Sequence, residues 1–433
     1  DASQITLCIV MLLISVLLTG TIPAFFLSRV EPVKALSGFS LRSSGGGVLR
    51  KGLVVFQFVV SVSLIVFTFV IFLQVEYMRS KDKGFKTDQR VIIKNVGTED
   101  FDFSKFYSYR ERIQANPKVI SVTAAMSAPG LVDPYSTEFS TTDKPNELIR
   151  LSHNVVDYDF AKTLGLTIIA GREFTKDRMT GEKVIMINES AVTKLGYETS
   201  DEAVGKTISL IWQGPEGNIN LKIIGVLKDF NTRSPGMPIS PEVFMFAKTA
   251  WPYGQYNLFI AHIAPGQLQE TIEFLNQEWK RIFPQAPFEY TFQDQAFQKV
   301  FESDERTQSI ASLSTVLAIF IACMGLGGLV AFSVSQRIKE VGIRKILGAS
   351  VVKILIILSS DFIRLIVFSI VLSIPVVWYV VNKFLENYKY RIEPSVWIFV
   401  IPCLLLLLIA LVTISFQTLK AANANPVDSL RRE

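Results

Sequence analysis

The chain has 433 residues, 49% hydrophobic and 19% charged, with a mean hydropathy of +0.34, which is too apolar for an ordinary soluble protein and points to lipid. Its 44 basic and 39 acidic residues leave +5, too small an excess to argue for nucleic acid. Cys8, Cys323 and Cys403 lie inside apolar runs and so exclude a disulfide framework, while a total of two histidines, His153 and His262, nearly excludes histidine-based metal chemistry.

An apolar stretch begins at Ile5 with no cationic segment before it and no small-residue cleavage site after it. It does not look like a signal peptide, and the chain is expected to begin partway through a larger protein. Stretches of roughly 20 apolar residues, enough to cross about 30 Å of hydrocarbon, predict five transmembrane helices, at 1–27, 52–78, 307–336, 354–382 and 395–419. They are joined by a linker at 28–51, a large polar domain at 79–306, a loop at 337–353, a short loop at 383–394 and a tail at 420–433. In the fourth span Asp361 and Arg364 share one helix face, either pairing at the interface or facing a protein interior.

The polar domain mixes β-rich runs (Val91 to Ile93, Lys183 to Ile187, Ile223 to Val226, Asn257 to Ile260) with helical patterns such as Leu268 to Phe283. Pro129-Gly130 and Pro235-Gly236-Met237-Pro238 punctuate it, and an α+β fold in two lobes is expected. Residues 79–306 hold 27 basic and 30 acidic side chains, whereas the linker, the second loop and the tail together hold 13 basic and 4 acidic. Basic short loops face the cytoplasm, which puts the large domain outside.

Glu31-Pro32-Val33-Lys34-Ala35-Leu36, after the first span, matches Asn425-Pro426-Val427-Asp428-Ser429-Leu430, after the last. The shared position predicts a duplicated unit, with 1–27 the last helix of a preceding repeat. Between the third and fourth spans, Arg337, Lys339, Glu340, Gly342, Ile343, Arg344, Lys345, Leu347 and Gly348 form an amphipathic pattern stopped by glycine. Such a helix either rests on anionic lipid or docks a cytoplasmic partner, with Glu340 and Arg344 available for charge pairing.

That loop, with Ala322 to Leu329 and Asn425 to Leu430, resembles the FtsX-like permease domain of the MacB and Lol class of ABC transporters. The polar domain carries matching phrases: Val156-Asp157-Tyr158-Asp159-Phe160 through Gly165 to Ala170-Gly171-Arg172-Glu173-Phe174, then Ile187-Asn188-Glu189-Ser190-Ala191, Val204-Gly205-Lys206, and Ile224 to Phe230. These resemble the MacB-type periplasmic core domain, while Pro287-Phe288-Glu289-Tyr290 followed by Phe301 to Arg306, and the loop Lys339 to Ser350, are most similar to the long, duplicated permeases of Bacteroidetes-type bacteria. The resemblance implies a multi-pass permease of the bacterial inner membrane with its large α+β domain in the periplasm. It also implies a cytoplasmic ABC ATPase as partner, docked on Arg337 to Ser350, with a periplasmic adaptor or outer-membrane channel as a further partner. Export of antibiotics, peptides or lipoproteins by mechanotransmission is the expected output, and an FtsX-like scaffold that activates a cell-wall hydrolase without transport is the alternative.

No G-x-x-x-x-G-K-[ST] occurs in these 433 residues, so no cofactor is expected on this chain, and ATP and Mg are expected in the partner. No H-E-x-x-H or G-x-S-x-G occurs either, so no catalytic or metal-binding residue is expected. Asn188-Glu189-Ser190 matches a glycosylation sequon, a tripeptide common by chance.

Overall fold

The computed structural model describes residues 44–94, 103–131, 135–176, 183–212, 217–247, 256–336, 347 and 350–422, with helical pieces at 6–7, 9–13, 16–17 and 21. The chain opens with α1 (Ser44–Ser80), followed by β1 (Arg90–Lys94), α2 (Phe103–Gln114), β2 (Val119–Ala125), β3 (Tyr135–Thr141), β4 (Lys144–Val156) and α3 (Phe160–Leu164). Next come β5 (Ile168–Gly171), β6 (Val184–Asn188), α4 (Glu189–Lys194), α5 (Ser200–Ala203), β7 (Thr207–Leu210), β8 (Ile219–Leu227), β9 (Glu242–Phe246) and β10 (Leu258–Ile263). The chain continues through α6 (Leu268–Ile282), β11 (Glu289–Phe292), α7 (Gln293–Gln298), α8 (Glu302–Gln336), α9 (Val351–Leu385) and α10 (Val396–Ala422). Two compact units result: Asp1–Phe69, Ala311–Val380 and Ser395–Glu433 form one, and Val70–Ile310 with Val381–Pro394 the other.

The first unit is helical. Among the described residues 4 helices are long and apolar enough to cross a membrane, at Arg50–Ser80, Gln293–Gln336, Ser359–Leu385 and Val396–Leu419. Of the expected span at 1–27 only the short helical pieces are described. Both copies of the Pro-Val repeat, at 31–36 and 425–430, lie outside the described residues. Phe56, Leu313, Phe320, Phe368 and Leu408 are exposed, an apolar surface suited to lipid tails. Where α1 meets α8, small and hydroxyl residues allow close approach: the Thr68 and Thr315 hydroxyls are 2.7 Å apart, Thr315 donates to the Leu64 carbonyl at 3.2 Å, and Ser61 to that of Ala318 at 3.1 Å. Of the small residues on α8, Ala322 and Gly327 are buried and Ala318 half-buried, while Ala331 is exposed. In α9, Asp361 is half-buried and Arg364 exposed.

The second unit contains the two lobes. In one, β11, β1, β10 and β2 form an antiparallel sheet in that order. The connections β1–α2–β2 and β10–α6–β11 each skip one strand, which is the split β-α-β topology of ferredoxin-like folds. Both helices pack on the sheet through Phe106, Tyr109, Ile113, Leu275 and Trp279, all buried. The other lobe is inserted between β2 and β10. There β4–β3–β7–β8–β6–β9 follow in order, and a parallel β4–β9 pairing closes the ring. Closure removes free edges, and Ile185, Ile187, Ile208, Leu221, Ile223 and Val243 belong to its core, with Ala191 and Val192 of α4. Among the described residues, strand pairing between the lobes is limited to Ala125 with Val156, reinforced by Met126 N–H to Val155 O at 2.8 Å and Asp157 N–H to Ala124 O at 2.9 Å.

Glu242 is buried at the start of β9, and its Oε1 has no hydrogen-bond partner among the described residues. Burial pushes its carboxyl up to about 8, against the opposing pull of Arg233. Stability from a raised carboxyl is complete below its unfolded pKa and is lost as pH rises through the folded one. His153 is lowered by burial to about 4, so its contribution is complete above its ordinary value of 6.5 and is lost as pH falls. Between pH 6.5 and 8 the Glu242 slope therefore meets no opposing slope from His153. Denaturant unfolding is expected to show a loss of about 1–2 kcal/mol across that window, and Glu242→Gln is expected to flatten it.

Candidate functional site

The last turns of α1, the first turns of α8 and the 386–394 loop come together at the base of the two-lobed unit. Gln74, near the C-terminal end of α1, is buried and uses both ends of its side chain. Its Nε2 donates to the Tyr390 carbonyl at 2.7 Å, and its Oε1 accepts from the Ile392 amide at 3.0 Å. Such pairing satisfies backbone groups that would otherwise carry the cost of burial. The Tyr388 hydroxyl donates to Asp304 Oδ1 on α8 at 3.1 Å, and Arg79 at the end of α1 is ion-paired with Glu305.

The same loop grips the domain above it. The Lys389 amide donates to the Gly236 carbonyl at 2.7 Å. A Cβ on Gly236 would lie 2.6 Å from Tyr388 Cδ1 and 3.1 Å from Met78 Sδ, so the glycine is what lets these parts approach. From the end of α1 the chain runs against the barrel lobe on its way to β1: the Asn231 amide donates to the Lys83 carbonyl at 2.9 Å, and Phe85 meets Phe230 edge-on at 6.3 Å. Phe85 also meets Phe297 of α7 at 5.2 Å. Gly130, at φ +84°, lies against the Ala296–Phe297 backbone, where a Cβ would approach to 2.6 Å, and Gln293 Nε2 donates to the Pro129 carbonyl at 2.7 Å. The ends of α1 and α8 are thus held to both lobes by hydrogen bonds, aromatic contacts and close glycine packing.

The motif phrases serve this framework. Asn188 is the N-cap of α4: its Oδ1 accepts from Ala191 N–H at 3.0 Å and from Glu242 N–H at 2.9 Å. It is buried, so the sequon match is a structural cap. Ser190 donates from its amide (3.0 Å) and its hydroxyl (2.5 Å) to Asp229, whose own amide donates to Glu189 Oε2 at 2.9 Å. The Asp229-Phe230 phrase is thereby fixed to α4 on one side and to Phe85 on the other. Gly171, at φ +72°, lets β5 cross Ile224, whose carbonyl would be 2.2 Å from a Cβ.

Of the residues expected to dock an ATPase, Leu347 is exposed in a turn before α9. Arg337, Lys339, Glu340, Gly342, Ile343, Arg344, Lys345 and Gly348 lie outside the described residues. Asp304 lies in the Phe301 to Arg306 phrase and Gly236 in the Pro235 to Pro238 punctuation, while Gln74 and Tyr388 belong to no motif. No signal in the sequence sets Gln74 apart.

A family model for the MacB-like periplasmic core domain matches residues 59–275, and one for the FtsX-like permease C-terminal region matches 312–426. The chain belongs to the MacB/FtsX-like permease family. A macrolide export ATP-binding/permease protein MacB from Chromobacterium violaceum is 22% identical over 329 residues, covering 72% of this chain and 48% of that protein. Its counterpart from Escherichia coli K12 is 22% identical over 367 residues, covering 78% of this chain and 51% of that protein. The chain thus spans about half the length of the curated relatives it matches. Among solved structures, the periplasmic region of MacB from Actinobacillus actinomycetemcomitans is 15% identical with a TM-score of 0.37, covering 52% of this chain and 98% of that one. The extracellular domain of the transporter YknZ from Gram-positive bacteria is 16% identical with a TM-score of 0.34, covering 47% and 98%. This MacB/FtsX-like permease is a membrane protein with a MacB-like periplasmic domain, and its family supports an ABC-type permease role.

Proposed function

We propose that this permease converts ATP binding and hydrolysis by a separate cytoplasmic ATPase into movement of its periplasmic domain, by mechanotransmission, and so drives export across the envelope. The observation that carries it is the junction at Gln74, Asp304 and Tyr388, where α1 and α8 run on into elements clamped to both lobes. Export, rather than activation of a cell-wall hydrolase, is supported by the macrolide export function in the relatives' names. The proposal includes a fifth span at 1–27, an inner-membrane location with the basic loops inside, and docking of the ATPase on the 337–348 segment. ATP and Mg belong to that partner, and a periplasmic adaptor or outer-membrane channel completes the route.

The test is co-purification with the ATPase and measurement of its stimulated activity. Glu340→Ala with Arg344→Ala is expected to weaken the complex about 10-fold, the effect of losing about 1.4 kcal/mol from charge pairs at a protein interface. Unchanged complex formation together with unchanged stimulated hydrolysis would remove the docking assignment.

A further inference from the structure

The two lobes meet along the edge of β2, and one arginine spans the seam. Arg110 projects from α2 with its side chain only 11% exposed. Its Nε donates to the Val122 carbonyl of β2 at 3.2 Å, Nη1 lies 3.2 Å from Asp157 Oδ2, and Nη2 donates to Asp159 Oδ2 at 3.0 Å. Both carboxylates stand across the seam, in the turn by which the chain leaves β4 for α3. The guanidinium also lies 5.3 Å from the centre of the Tyr158 ring in that turn. The strand-edge bonds between the lobes run from residues 124–126 to 155–157, a short seam beside which the Asn154 amide pairs with the Ser127 backbone. Arg90 makes a further tie, its Nε donating to the Thr163 carbonyl at 2.6 Å. That bond ends on a backbone group, whereas Arg110 is held by charge.

One guanidinium serves two carboxylates, and the two are not equivalent. The Asp159 side chain is 39% exposed, while that of Asp157 is fully enclosed and relies on Arg110 for its charge balance. Burial pushes the Asp157 carboxyl up to about 6, against the opposing pull of Arg110. The groups that face it are Tyr107 and Arg110 of α2, Tyr158 and Asp159 of its own turn, and Tyr256 ahead of β10; β2 brings no titratable side chain. All three phenols are pushed above their ordinary range, so none competes for the proton. Farther out, Lys176 and Glu111 pair with each other at 3.0 Å. A proton on Asp157 removes the charge that holds Nη1 and leaves the guanidinium to Asp159 and the Val122 carbonyl.

We propose that Arg110 is a latch between the lobes and that Asp157 is the group through which a proton opens it. Ionised, Asp157 fixes α2 to the turn between β4 and α3; protonated, it lets the lobes move about the short backbone seam. Because the Asp157 carboxyl is raised, its contribution to stability is complete below the unfolded pKa and is lost as pH rises through about 6. Acid therefore frees the latch without unfolding the domain at this group.

The full chain in lipid nanodiscs, its native cysteines replaced, is spin-labelled at Lys144→Cys and Lys280→Cys, exposed positions on the two lobes. The distance distribution between the labels is expected to be about twofold broader at about pH 5 than at about pH 7.5, as a second population enters. The midpoint of that change is expected near pH 6. Asp157→Asn, which keeps the shape without the charge, is expected to give the broad distribution at both pH values. A width that does not change with pH in the otherwise native chain, or one that still narrows with rising pH in Asp157→Asn, would overturn the proposal. If Asp157→Asn fails to fold, Arg110→Lys decides: it keeps the charge but loses the fork, so it must broaden the neutral-pH distribution, and an unchanged width refutes the latch. The assay contains no ATPase, so its outcome is independent of the coupling proposed above.

Discussion

Trp279→Ala destabilises the periplasmic domain by about 3–5 kcal/mol, a large part of the 5–15 kcal/mol by which domains are typically stable. Trp279 is buried on the inner face of α6, and its ring meets Tyr109 at 5.3 Å, Phe283 at 4.5 Å, Phe259 at 6.1 Å and Phe288 at 6.2 Å. Its indole N–H donates to the Ala286 carbonyl at 3.1 Å, tying α6 to the approach of β11. Truncation opens a cavity among four aromatic rings and orphans that carbonyl, and the rigid rings leave the hole little scope to close. Chemical denaturation of the purified chain measures the loss. Trp279→Phe, which restores most of the volume but not the donor, is expected to recover more than half of it. A loss under 1 kcal/mol for the alanine variant would mean that α6 is not packed as described.

Gln74→Leu is expected to act mainly on the proposed coupling. The leucine keeps an apolar side chain of similar size in α1, so the helix persists, but the Tyr390 carbonyl and the Ile392 amide both lose their partner. Each unmet group costs about 1–3 kcal/mol, which the loop avoids by moving off α1. Coupling free energies of 1–3 kcal/mol correspond to 5–150-fold effects, and a drop of about 10-fold or more in substrate-stimulated ATPase activity is expected. Basal hydrolysis and complex formation should stay unchanged, because Gln74 belongs to the periplasmic unit. Gln74→Asn, which keeps the amide on a shorter stem, is expected to restore part of the stimulation. An equal fall in basal and stimulated rates would point to a folding defect instead.

Much of the fold was legible because its patterns are local. Val91 to Ile93 and Ile223 to Val226 are β-branched runs bounded by turn residues, and they fall in β1 and β8. Leu268 to Phe283 has helical periodicity and folds as α6, ending at Ile282. The closed barrel was not legible, because it depends on the parallel register of Ser152 with Glu242, a pairing between strands far apart in the chain. The insertion of one lobe between β2 and β10 was hidden for the same reason.

The candidate site divides in the same way. The amphipathic loop around Arg344 is a periodic signal and stands out in sequence, whereas the junction is assembled from single residues on separate segments. Gln74 looks like one polar residue in a span, Gly236 like turn punctuation and Tyr388 like part of a short loop. Only the fold brings the first to Tyr390 and the other two together. The phrases around Asp159, Asn188 and Asp229 were visible as resemblance, but their roles as caps and clamps follow from hydrogen bonds that spacing cannot specify.

Transmission from cytoplasmic ATP to the periplasmic lobes is tested most directly by a distance measurement. Spin labels at Lys144→Cys on the barrel lobe and Lys280→Cys on α6, both exposed positions, are placed in a chain whose native cysteines are replaced. The labelled permease is then reconstituted with its ATPase in nanodiscs. Addition of ATP is expected to shift the distance distribution between the lobes, and Gln74→Leu to abolish most of that shift while ATP still binds. A distribution unmoved by ATP in the otherwise native permease, or a shift equally large in the Gln74→Leu variant, would contradict transmission through this junction.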